Sequence, residues 1–243
     1  MTFPIARMLL SLLSVPSIPD SAITVQGVVA VGPQSAGGGG SVTLILSEPL
    51  LLEAHQFWAL SLTGDYARWA NWDGRYIEAK GRIVAASVQD MQFTTDNVRE
   101  VTPPNGATRE VTSLSHRSSV LIAVVPHQFR GFATTANGVS PMIYYQVVVE
   151  GQTNLVFEAN ENELVCASVT PPGGGSAIWR DAWRLPRQPG TDLAIRIGPV
   201  FRVRMPIPNT VFGAPGRYRV QATICRNPEF TVSTTLDVTS SAQ

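Results

Sequence analysis

The sequence predicts an all-β protein built from two modules. Short β-branched runs recur along the chain, and glycines and prolines punctuate them. Apolar spacing at three and four residues nowhere lasts long enough for an amphipathic helix. The 243 residues include 20 glycines and 18 prolines, and 44% are hydrophobic. Burial of that fraction can offset chain entropy, which excludes disorder. No strand–helix alternation occurs, which argues against Rossmann and TIM folds. No internal repeat of about 20–50 residues is present.

Residues 1–20 carry Arg7 and then the apolar run Met8 to Val15, broken by Ser11 and Ser14 and followed by prolines. This reads as a signal-like or membrane-proximal segment. The run falls short of the roughly 20 apolar residues that span a bilayer, and no other stretch reaches that length.

Residues 21–101 form the first expected module. Residues 23–31 (ITVQGVVAV) and 42–46 (VTLIL) read as strands separated by Gly32-Pro33 and Gly37 to Gly40. In residues 65–73, Tyr66, Trp69 and Trp72 recur every three positions. That suits a short helical turn capped by Asp65 and stopped at Gly74. Residues 75–85 and 91–98 return to strand. Residues 102–113, opening on Thr102-Pro103-Pro104-Asn105-Gly106, read as a linker.

Residues 114–243 hold regularly spaced strand-like runs: 119–125, 143–149, 153–158, 164–169, 176–183, 193–197, 200–205, 217–225 and 230–238. Short strands joined by Gly/Pro turns predict a β-sandwich. Cys166 and Cys225 are the only cysteines. They are compatible with one disulfide in an oxidising compartment, worth about 4 kcal/mol in the chain-entropy picture, or with two buried thiols. No CxxC pair or zinc spacing occurs.

The first module carries Ile23-Thr24-Val25-Gln26-Gly27-Val28-Val29, and later Asp73-Gly74-Arg75-Tyr76-Ile77-Glu78-Ala79-Lys80-Gly81-Arg82-Ile83. On these it resembles the small OB-like β-barrel modules of exported bacterial proteins. The second carries Trp179-Arg180-Asp181-Ala182-Trp183 and Ala214-Pro215-Gly216-Arg217-Tyr218-Arg219-Val220. It resembles an immunoglobulin-like sandwich of the BsuPI-like proteinase-inhibitor type. The resemblances imply a small OB-like barrel followed by an immunoglobulin-like β-sandwich, and imply fold far more than function. The immunoglobulin pattern is half met: Thr223 stands two positions before Cys225, where a tyrosine corner would place tyrosine. Strand alternation puts Tyr218, Val220, Ala222 and Ile224 on one face and Cys225 on the other, so a core disulfide would need a bulge.

No motif for bond chemistry emerges, so no catalytic, cofactor or metal site is expected. His55, His116 and His127 form no helical pair and lie near no cysteine. Glu150, Glu158, Glu161 and Glu163 lack the spacing of a calcium loop and read as a solvated turn. The Gly37–Gly40 run lacks the lysine of a phosphate loop.

Eighteen basic residues balance eighteen acidic ones, which excludes a globally basic nucleic-acid binder. The arginines nevertheless cluster. Nine lie between positions 180 and 226, opposed locally only by Asp181, Asp192 and no glutamate. Arg202 and Arg204 alternate with Phe201, Val203 and Met205, and Arg217 and Arg219 alternate with Tyr218 and Val220. Were these strands neighbours, one sheet face would be an arginine ladder suited to an acidic protein surface or lipid headgroups. Trp69 and Trp72, on the short helix, are expected either to anchor an interface or to plug one end of the first module.

The expected function is a non-enzymatic, periplasmic or otherwise extracytoplasmic accessory subunit. Its partners would be protein subunits of a larger membrane-associated complex, with contact to the membrane surface and no nucleic acid. A bacterial photosynthetic reaction-centre and light-harvesting assembly is one setting for such a subunit, on no motif of its own. The alternative is a proteinase-inhibitor-like or ligand-binding sandwich that uses residues 206–216 as an inserting loop. An oligonucleotide- or saccharide-binding OB module ranks last, because its aromatics sit on a helix rather than a strand platform.

Overall fold

A computed structural model describes residues 21–32, 40–52, 55–87, 90–112, 117–131, 140–152, 155–158, 163–185 and 194–240. The signal-like segment 1–20, Gly37 to Gly39, His116, Glu161, Arg187 and Asp192 lie outside them.

The first module is a closed five-stranded barrel. Its strands are β1 (Ile23–Val31), β2 (Val42–Leu52), β3 (His55–Leu62), β4 (Tyr76–Ala86) and β5 (Met91–Glu100), in the order β1-β2-β3-β5-β4. Only β3 and β5 run parallel. Between β3 and β4 stands the helix α1 (Tyr66–Ala70). The Asp65 carboxylate accepts the Ala67 N–H at 3.0 Å and caps the helix. Gly74, at φ +72°, turns the chain into β4 without the steric cost of a Cβ. Alternate residues such as Val42, Leu44 and Leu46 fill the barrel together with Phe57, Leu60, Ile77 and Phe93. Trp69 is fully buried among them, and its indole N–H donates to the Thr63 carbonyl at 3.0 Å. This architecture is compatible with an OB-like barrel.

The second module is a sandwich. Its elements are β6 (Ala107–Thr112), β7 (Arg117–Val125), β8 (Gln128–Gly131), β9 (Met142–Val149), β10 (Leu155–Glu158), β11 (Glu163–Thr170), β12 (Trp179–Arg184), β13 (Ala194–Ile197), β14 (Val200–Pro206), β15 (Gly216–Ile224) and β16 (Asn227–Ser240). One sheet has the order β14-β9-β7-β6 and the other β12-β11-β15-β16-β8, while β10 and β13 pair separately. β7 and β8 flank a cis Val125–Pro126 bond and belong to different sheets: β7 pairs with β9, and β8 runs parallel to β16. Inward residues of both sheets, among them Val120, Ile122, Val147, Val165, Val203 and Val220, form one core. The Tyr145 hydroxyl crosses it to donate to the Phe230 carbonyl at 3.0 Å.

Three details bear on the sequence expectations. The linker is shorter than 102–113, because residues 107–112 form β6 and pair with β7 from Ala107↔Ile122 to Thr112↔Arg117. The short connection is pinned rather than free. The Asn105 side-chain amide donates to the Val124 carbonyl at 3.0 Å, and the Thr234 hydroxyl donates to the Asn105 carbonyl at 2.9 Å. Second, of the disulfide and the two free thiols left open, Cys166 and Cys225 form the disulfide (S–S 2.11 Å, Cα–Cα 5.1 Å), on the outer side of the five-stranded sheet to which alternation assigns Cys225. Cys166 pairs with Thr223 in register, and the inward positions beside it are Val165 and Ala167. Third, tyrosine-corner geometry is supplied by Tyr218, not by position 223. Its hydroxyl donates to the Ala214 carbonyl at 2.6 Å, four residues upstream.

Candidate functional site

β7 is buried on both faces, and this decides where the barrel sits. Val120, Ile122 and Val124 point into the sandwich core, while Leu121, Ala123 and Val125 point the other way. The second set joins Tyr144 of β9 in a buried cluster with Val28, Ile45 and Tyr76 of the barrel. The outer face of the four-stranded sheet is therefore covered by the barrel face that β1, β2 and β4 present. Burial pushes the phenol pKa values of Tyr76 and Tyr144 upward, since a phenolate there would lose its hydration.

Arg202 and Arg204 lie on this same outer face, on β14, and close the edge of the junction. Arg202 Nη2 meets Glu100 Oε1 at 2.6 Å. The same carboxylate takes Arg75 Nη1 at 3.1 Å, and the Arg75 guanidinium lies over the Trp72 ring at 5.4 Å. Arg204 Nη2 meets Asp73 Oδ1 at 2.7 Å, and its Nη1 donates to the Val29 carbonyl at 3.0 Å. Asp73 Oδ1 also accepts the Val31 N–H at 2.8 Å, which ties the turn after α1 to the end of β1.

The expected arginine ladder is therefore not formed. β14 and β15 belong to different sheets, and the outer faces of those sheets look away from each other. Local sequence shows few acidic residues near these arginines, but strand pairing brings carboxylates from far away. Arg202 and Arg204 are about one-fifth exposed (21% and 22%) and serve the junction inside the chain. Trp69 is core and unavailable to a partner. Trp72 is half-buried beneath Arg75.

Arg217 and Arg219 differ. They stand on the solvent side of β15, in the five-stranded sheet. Arg217 is 70% exposed and pairs with Asp237 at 2.7 Å, which raises its already high pKa. Arg219 Nη2 reaches Ser233 Oγ at 3.3 Å. Register sets small polar residues around them: Arg180, Ser168, Gln221 and Ser233 form one row across the strands, and Thr170, Arg219 and Thr235 the next. The sheet face is thus hydroxyl-rich and carries guanidinium groups beside Asp181, Asp237 and Glu163. A shallow basin of about 490 Å³ opens on it beside Arg180, Ser168, Gln221 and Thr223. At its end Arg184 pairs with Glu163 at 2.5 Å.

Other expected sites fare as follows. Among the described residues one group of three metal-type ligands occurs, Glu163 with Cys166 and Cys225, and its two sulfurs are bonded to each other. Within residues 206–216, Gly213, Ala214 and Pro215 are exposed while the segment is anchored at two points. Ile207 and Phe212 are buried, and the Tyr218 hydroxyl holds Ala214 down. No described helix is long and apolar enough to cross a membrane. Against protein families, curated proteins and solved structures, the chain matches none.

Proposed function

We propose that the chain is a non-enzymatic, extracytoplasmic subunit that binds other proteins of a membrane-associated complex. Its docking face is the solvent side of the five-stranded sheet. The observation that carries this reading is the asymmetry of the sandwich. One outer face is consumed by the barrel, while among the described residues the other is uncovered and presents Arg180, Arg217 and Arg219 over serine, threonine and glutamine. Arginine on a polar sheet forms forked hydrogen bonds to carboxylates, which favours an acidic protein surface. The solvent-side disulfide suits an oxidising compartment. The barrel face formed by β1, β2 and β4 is spent on the junction, which removes area an OB-like module would offer to an oligonucleotide or saccharide.

The test is affinity purification of the tagged full chain from gently solubilised membranes, beside an R217E/R219E variant. A defined set of proteins retained by the wild type and lost from the variant supports the reading. Purification of the wild type as a lone monomer, released from membranes by mild salt, contradicts it.

A further inference from the structure

We infer that the Lys80–Gly81–Arg82 segment of the barrel is a binding site for a phosphate-type oxyanion. This goes beyond the protein-docking reading and uses a different surface. Lys80 is the only lysine in a chain with eighteen basic residues, and it stands two positions from Arg82 on β4. Alternation puts both side chains on the outer face of the barrel, about 7 Å apart along the strand. Both are exposed, and among the described residues neither makes an ion pair.

The strand pair beside them is bulged. The β4–β5 register runs Lys80↔Asn97 and then Gly81↔Thr95, so Asp96 is an extra residue and the pair is bulged there. The Thr95 hydroxyl bonds the Lys80 carbonyl and the Asn97 N–H, which fixes the bulge. A Cβ at Gly81 would point into the barrel, onto the Thr94 carbonyl oxygen and against Phe93 and Thr95, so only glycine lets the bulged strands come this close while Lys80 and Arg82 project outward. Outside the bulge lies a groove of about 450 Å³ lined by Lys80, Gly81, Arg82, Thr94, Thr95, Asp96 and Asn97. Asp96, also at the groove, pairs with Arg68 at 3.2 Å. Two cations, Lys80 and Arg82, thus line the groove against one carboxylate, Asp96, which Arg68 already pairs. A point-charge ammonium and a forked guanidinium beside hydroxyl and amide donors suit a tetrahedral oxyanion. The phosphate belongs either to a soluble ligand or to an anionic lipid headgroup, and experiment separates the two.

The full chain is titrated calorimetrically with inorganic phosphate. It is separately floated with phosphatidylcholine vesicles, with and without phosphatidylglycerol. K80Q/R82Q is the site variant and R217Q/R219Q the control, each checked for an unchanged melting temperature. The site variant should weaken binding by about tenfold to thirtyfold, near a factor of five per cation, while the control binds like the wild type. Phosphate binding lost only in K80Q/R82Q supports the site with a soluble ligand. Phosphatidylglycerol-dependent flotation lost only in K80Q/R82Q supports it with a lipid source. Absence of both in the wild type overturns the inference, as does equal loss in the two variants. Absence of both in the wild type leaves the protein-docking reading of the sheet face untouched, because that reading is tested by co-purification.

Discussion

Arg204 and Arg217 carry the same charge and each meets an aspartate at 2.7 Å, but their surroundings differ. Arg204 is mostly covered and donates both to Asp73 and to the Val29 carbonyl, which it shares with the Gly74 N–H, so its loss removes charge-assisted bonds and packing at the edge of the junction. Arg204→Ala is expected to cost about 1–3 kcal/mol in urea unfolding. Arg217→Ala, at an exposed pair, should cost no more than about 0.5–1 kcal/mol. Equal costs would mean that the junction does not bury Arg204 as described. Trp69→Ala removes the largest fully buried side chain of the barrel and should cost about 3–5 kcal/mol by the same measurement. Tyr76, Tyr144 and Tyr145 contribute to the pH response, since burial raises each phenol pKa. Their folded pKa values lie above the unfolded value of about 10, so their contribution to stability is complete below that pH and is lost as pH rises beyond it. Urea midpoints should therefore fall across about pH 9–11, and less steeply in Tyr144→Phe. None of these roles could be read from residue type alone. The sequence shows Arg204 alternating with apolar neighbours, but Asp73 is 131 positions away, and only the fold makes them partners.

The strands were legible where a single periodicity dominates. β1, β4, β9, β15 and α1 with its Asp65 cap follow from alternation, turn residues and aromatic spacing. β3 escaped because Phe57 and Trp58 break its alternation opposite the register shift in β2. β6 escaped because Arg109 and Glu110 make it read as loop, although an edge strand tolerates such residues. The unbroken apolar stretch Val120 to Val125 held the clearest unused signal. A strand with no polar face is buried on both sides, and that implied a second body against the sheet. Alternation did place Cys225 off the inward face, and the disulfide lies on the outer side accordingly. Because it links residues 59 apart, C166S/C225S should lower unfolding stability by about 4 kcal/mol. Reductant should destabilise the wild type by a similar amount and leave the variant unchanged. A variant as stable as the oxidised wild type would show that the bridge contributes nothing.

At the scale of the molecule, zero net charge hides two different uses of arginine. One set is matched internally and fastens barrel to sandwich, and the other remains on an open sheet. Composition reported the balance but not this division, which depends on which sheet each strand joins. The central claim is that the cluster of Val28, Ile45, Tyr76, Leu121, Val125 and Tyr144, edged by Arg202 and Arg204, makes the two modules one cooperative body. That body holds the open face at a fixed angle for a partner. Native-state hydrogen exchange read by mass spectrometry tests this most directly. The slowest amides of β4 in the barrel and β9 in the sandwich should share one opening free energy, and R202A/R204A should split them into two. Different opening free energies in the wild type, unaltered by R202A/R204A, would contradict the account.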